Sequence, residues 1–182
     1  MQDVILGIDV STSKIGLSIM DYDCNLIKCD VIKLDPKHSL EEKCIFFEDY
    51  VSRINSLNYI NNSKSYYIKE VFIESPFMMF SGGKTTAMTM SKLQRFNGMV
   101  SYMIRRSLGF DPVLIAANKA RGLVGLKVKR GEKAKLKVIE WVQSEYPKDF
   151  IVEYTRYGNP KPGTDDKADS IIIARAGLLI DE

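Results

Sequence analysis

Histidine is nearly absent from this 182-residue chain: His38, in the segment DPKHS, is the single one. A His-based metal site and a Ser/His/Asp triad both place an imidazole at the centre of the chemistry, so neither organises this protein. Cysteine is scarce as well. Cys24, Cys29 and Cys44 form an odd set with no C-x-x-C pair, which reads as reduced, structural thiols in a cytoplasmic setting (the host cytoplasm, for a viral or phage gene). No apolar run nears the roughly 18 residues of a membrane span. The opening MQDVILGIDV enters strand-like residues at once, so no secretory leader is expected. Low-complexity segments, internal repeats and linkers are also lacking, and the expectation is one domain over 1–182.

What is present is ordinary globular material, 45% hydrophobic and 27% charged. The net charge is only +3, but it is unevenly spread. Between Lys119 and Lys137 stand eight basic residues (Lys119, Arg121, Lys127, Lys129, Arg130, Lys133, Lys135, Lys137) against one acid, Glu132, so this segment carries +7 and the remainder −4. Such a run is either a solvated face or a phosphate-binding surface.

Hydrophobic patterning gives three opening strands, at 4–11, 14–23 and 25–34, joined by turn residues as an antiparallel meander. Ser39 and Glu42 form a capping box. Leu40, Cys44, Phe47, Val51, Ile54 and Leu57 then recur at helical spacing. A β-branched and aromatic strand is predicted at 66–75. A helix follows at about 86–107 on a stripe of Met90, Leu93, Phe96, Val100 and Met103, then a strand at 111–118. Further helices are predicted at about 132–146, with Leu136, Ile139 and Val142 on one face, and at about 165–180. A meander followed by alternating units predicts an α/β fold: a five-stranded mixed sheet, three strands antiparallel and two parallel, with helices on both faces.

Acids stand where burial should be. Asp9 follows VILGI, Glu74 follows VFI, and Asp166 and Asp169 open the last helix three residues apart, on one helical face. A buried carboxylate without a partner is costly, and neither strand offers a neighbouring cation on the same face. If the strand ends and the helix start converge, the four acids need a divalent cation. Mg²⁺, with Mn²⁺ as substitute, prefers such oxygen ligands, and two ions about 3.5–4 Å apart can clamp a scissile phosphate.

The motifs ILGIDVSTSKIGLSIMD, VFIESPF and DDKADSIIIARAGL together resemble the RuvC-type Holliday junction resolvases of the ribonuclease-H-like superfamily. The first carries the G-I-D aspartate, the second the strand-ending glutamate and the third the D-x-x-D of the last helix. The similarity runs in order over nearly the whole chain. It departs at the first turn, V-S-T-S where bacterial members have P-G, and is closer to phage or viral branches. The resemblance implies a homodimeric, Mg²⁺-dependent endonuclease that cuts four-way DNA junctions symmetrically, leaving 5′-phosphate and 3′-hydroxyl ends. Asp9, Glu74, Asp166 and Asp169 would be the catalytic acids holding two ions, and Asp165 a cap. It also implies an aromatic at Phe77 stacking on bases, and phosphate contacts from Lys133 beside the metals and from Lys119 or Arg121. Lys127, Lys129 and Arg130 would extend the DNA-binding face, with Lys84 joining from a glycine-rich loop. The 86–107 helix, rich in Met and Phe, is the expected dimer contact.

Rival readings are weaker. SGGKTT is not a phosphate loop, because the required first glycine falls at Met78, and no nucleotide cofactor is expected. LGIDVSTSKIGLSIMD also resembles the first phosphate motif of sugar kinases and actin-like ATPases, but those need two such domains. A broader flap or RNA–DNA hybrid nuclease would use the same four acids, and a non-catalytic junction-binding module would have no need of all four.

Overall fold

The structure, a computed structural model, describes residues 2–56, 66–76 and 86–180. Strands β1 (Gln2–Val10), β2 (Lys14–Asp21) and β3 (Leu26–Lys33) form the antiparallel meander, while β4 (Tyr66–Glu74) and β5 (Val113–Ile115) extend the sheet in parallel. The spatial order is β3-β2-β1-β4-β5. Parallel neighbours need a crossover: α1 (Leu40–Ser56) lies between β1's meander and β4, and α2 (Ala87–Leu108) between β4 and β5. The other face takes α3 (Ala117–Leu123), α4 (Ala134–Glu145) and α5 (Thr164–Leu178).

The period-2 alternation of β1 decides where its acid points. Val4, Leu6, Ile8 and Val10 pack with α1 and α2, so Ile5, Gly7 and Asp9 face α5. In β4, Val71 and Ile73 take the first side, leaving Phe72 and Glu74 on the second. Both carboxylates are thereby on one face of adjacent strands.

The helix that covers them sits against bare backbone. A Cβ on Gly7 would stand 2.2 Å from the carbonyl oxygen of Ser170, and one on Gly16 would stand 2.0 Å from that of Asp166. Ser18, fully buried, donates to the Ser170 carbonyl at 2.8 Å. These contacts fix the height and register of α5 over the sheet.

The capping box forms: the Ser39 N–H donates to Glu42 at 2.7 Å and the Glu42 N–H to Ser39 Oγ at 3.1 Å. Leu40, Cys44, Phe47, Val51 and Ile54 are all buried beneath α1, and Leu57 lies outside the described residues. On α2, Phe96, Val100 and Ile104 enter the core.

Three expectations need correction. The strand predicted at 111–118 is only three residues long, because AANKARGL, rich in helix-forming Ala, Lys and Arg, turns into α3 instead of a loop. The helix predicted from 132 begins at Ala134. Its inward face is Val138, Ile139 and Val142, whereas Leu136 is 41% exposed.

Candidate active site

Asp9, near the end of β1, pairs with Gly16 across the ladder, and Gly16 is where the α5 backbone touches the sheet. The first turns of α5 are therefore delivered beside Asp9. Glu74 ends β4; buried Asn97 of α2 donates to its carbonyl at 3.0 Å, and the Ser75 N–H bonds Ile115 at 2.9 Å. Gly163, with φ 100°, turns the chain into α5 so that Asp165, Asp166 and Asp169 follow within its first two turns.

The electrostatics show that these acids share one field. Burial, then Glu74, Asp169 and Asp166, push Asp9 up to about 8, with Lys135 opposing. Burial and Asp169 raise Glu74 to about 7 against Arg121 and Lys135. Burial raises Asp169 to about 6, with Lys135 and Arg121 opposing and Asp165 and Asp166 adding to the rise. Asp166, 8% exposed, is bonded by the Lys14 ammonium at 2.9 Å. Burial works against ionisation of Asp165 too, yet the Lys135 ammonium, bonded at 2.6 Å, holds it below the ordinary carboxylate range. That bond and the surrounding acids raise Lys135 in turn. Among the described residues no three acids form a ready-made coordination cage; Asp166 is held by Lys14 and Asp165 by Lys135.

The basic residues sort themselves by position. Lys133 immediately precedes α4, exposed, its carbonyl accepting from the Leu136 and Lys137 N–H groups. The ammonium whose field reaches Asp9, Glu74, Asp166 and Asp169 is that of Lys135. The Lys135 side chain is itself 72% exposed, but its ammonium reaches across to Asp165 of α5 at 2.6 Å. Of Lys119 and Arg121, both on α3, Arg121 acts on Glu74 and Asp169 and lines a cleft of about 380 Å³ with Val128 and Ala134. Lys119, Lys127, Lys129 and Arg130 are exposed. Phe77 and Lys84 lie outside the described residues.

Besides Lys135, which the sequence shows only as one of a basic run, Lys14 and Lys43 were missed. Lys14 opens β2, and its partner is 152 residues away, so only the fold could pair them. Lys43, on α1 and 3% exposed, donates to the Thr12 carbonyl at 2.8 Å. That tethers the β1–β2 turn, which Ser11 also closes by accepting the Lys14 N–H at 3.1 Å. A lysine inside an apolar helical stripe was the available signal.

A five-stranded mixed sheet with carboxylates on the central strand, its parallel neighbour and the last helix defines an α/β fold of the ribonuclease-H-like kind. No protein-family model matches the sequence, and no curated protein matches it. Among solved structures the chain is similar to T. thermophilus RuvC in complex with Holliday junction substrate (TM-score 0.66, 15% identity, 99% of this chain and 95% of that one). It is likewise similar to the Thermus thermophilus RuvC structure (TM-score 0.64, 16% identity, 98% and 95%). The fold is RuvC-type over nearly its whole length.

Proposed function

We propose that this protein is a metal-dependent, structure-selective DNA endonuclease that resolves four-way junctions by symmetric phosphodiester hydrolysis. The observation that carries the proposal is the convergence of Asp9, Glu74 and Asp169, each pushed above its ordinary range first by burial and then by neighbouring carboxylates, at one place in a RuvC-type fold. A cluster kept for stability alone would be expected to neutralise such charge with paired cations or apolar replacements.

The donor set fits Mg²⁺ or Mn²⁺: it is all carboxylate oxygen, partly buried and in excess of its cations. Asp9, Glu74, Asp166 and Asp169 would hold two ions. When bound, the ions supply Lewis-acid charge that activates water and steadies the leaving oxygen. The chain's own cations do the positioning. Lys135 and Arg121, already in the field of the acids, orient the scissile phosphate, the role that the resemblance gave to Lys133. Lys119, Lys127, Lys129, Arg130 and Lys133 add phosphate contacts that give affinity and salt sensitivity without reading sequence. Lys14 keeps Asp166 turned toward β2.

A four-way junction has two symmetric strands to cut, which a twofold dimer matches. Phe96 of α2 is consumed by the protein's own core, but Met88 and Tyr102 of α2 and Ile45 and Phe46 of α1 are exposed. This α1–α2 surface is the proposed dimer contact.

The test is a substrate panel with Mg²⁺: a four-way junction, a flap, an RNA–DNA hybrid and a linear duplex. Preferential cutting of the junction supports the proposal. Equal rates on flaps would widen the function to branched DNA, and binding without cleavage of any substrate would leave a binding module.

A further inference from the structure

Residues 153–161, between α4 and α5, form a small hairpin that the chemistry above does not use. Tyr154 bridges Pro160, the Thr155 N–H donates to the Asn159 carbonyl at 2.8 Å, and the Lys161 N–H to that of Glu153 at 2.8 Å. The Thr164 N–H then bonds the Lys161 carbonyl at 3.1 Å, so the hairpin is continuous with the start of the acid-bearing helix. It displays Tyr154 at 53% and Tyr157 at 74% exposure, with the Arg156 guanidinium 4.6 Å from the centre of the Tyr157 ring. Single exposed aromatics are commonplace; two within four residues, with an arginine against one ring, on an ordered hairpin, form a stacking platform.

At its base two clefts, each of about 340 Å³, share Lys161 and Pro162. One contains Lys14, Lys135 and Asp165 from the carboxylate site; the other contains Lys33 and Lys167. Five lysines from five parts of the chain face three acids, Asp30, Glu153 and Asp165. Lys161 pairs with Glu153 at 3.1 Å in an exposed contact, of a kind that contributes little and exchanges readily. Lys14 and Lys33 stand directly opposite each other across the β2–β3 ladder, an arrangement of like charges that costs stability. Asp166 compensates Lys14, but no acid among the described residues pairs with Lys33.

We propose that the hairpin and these joined clefts form a second DNA-contact surface, carrying one strand of the substrate away from the carboxylates. Lys33, Lys161 and Lys167 hold its phosphates, and Tyr154 and Tyr157 lie against bases that the branch point leaves unstacked. The proposal rests on the nuclease reading above and extends it beyond the basic segment 119–137.

The test uses the full chain carrying Asp9→Asn, which leaves the strands intact, with binding to a four-way junction followed by fluorescence anisotropy over a range of salt. Lys33→Gln with Lys161→Gln should make the slope of log affinity against log salt shallower by about 2, one phosphate per lysine. Tyr154→Ala with Tyr157→Ala should weaken binding about tenfold with the slope unchanged, and the corresponding pair of phenylalanines should restore it. Wild-type affinity and slope in both double variants, in a protein whose Asp9 form cuts junctions, would overturn this surface and leave the nuclease reading standing. A change in self-association in place of DNA affinity would overturn it as well. A wild-type protein that neither binds nor cuts branched DNA would overturn both.

Discussion

Gly16 and Asp166 touch through their backbones: a Cβ on Gly16 would lie 2.0 Å from the Asp166 carbonyl oxygen. Since Gly16 also pairs with Asp9 in the sheet, this one missing side chain sets how close the acid-bearing helix comes to the first acid. Gly16→Ala should push the start of α5 off the sheet. The expected cost is about 1–3 kcal/mol of stability, typical of overpacking, read by urea denaturation, with a larger fractional loss of cleavage than the stability change explains. An alanine variant as stable and active as wild type would show that α5 can shift without consequence.

The acids make metal-free stability depend on pH, and the sign follows from their direction. Asp9, Glu74 and Asp169 are raised in the folded protein, to about 8, 7 and 6, so between roughly pH 4 and 8 the native state binds more protons than the unfolded one. Stability then falls as pH rises through that window. In EDTA the melting temperature should be higher near pH 5 than near pH 8, and Mg²⁺ should restore most at the alkaline end. Asp9→Asn should flatten the EDTA profile. A flat wild-type profile would show that neither burial nor the neighbouring carboxylates raise these acids.

Lys135 and Lys133 provide a paired comparison. Lys135→Met removes the ammonium that opposes the rise of Asp9, Glu74 and Asp169 and frees Asp165. It should lower the cleavage rate by about a hundredfold, on the scale of losing one preorganised electrostatic partner, and move the acidic limb of the pH–rate profile to higher pH. Lys133→Met, at the exposed residue before α4, should mainly weaken DNA binding in a salt-dependent way. Equal effects on the rate would remove the distinction.

Lys43 is expected to act at a distance. Its buried ammonium satisfies the Thr12 carbonyl, so Lys43→Met keeps the apolar stem but leaves that carbonyl without its donor. The loss should be about 1–3 kcal/mol, with hydrogen exchange accelerated in the β1–β2 turn ahead of the rest of the sheet. Uniformly faster exchange would mark a general defect.

The meander, β4 and the acid-bearing helix were legible in the sequence because each has enough residues for its period to show. The strand at β5 was placed but not its length, and α3 was missed: three residues and seven residues fall below one full pattern, and VLIAANKARGL carries strand and helix signals end to end. The four acids could be singled out because carboxylates at the ends of apolar runs conflict with burial. Lys14 could not, since its pairing depends on α5 returning across the sheet. Lys135 was hidden among seven other basic residues of one segment; only its bond to Asp165 of α5 separates it from Lys133.

The most direct measurement maps the cuts. A synthetic four-way junction, labelled on each strand in turn, is incubated with Mg²⁺ or EDTA and with wild type, Asp9→Asn or Asp169→Asn. The account predicts nicks at symmetric positions on two opposing strands near the branch point, with 5′-phosphate ends, only for wild type and only with Mg²⁺. Cleavage that persists in both variants, or that proceeds in EDTA, would contradict it.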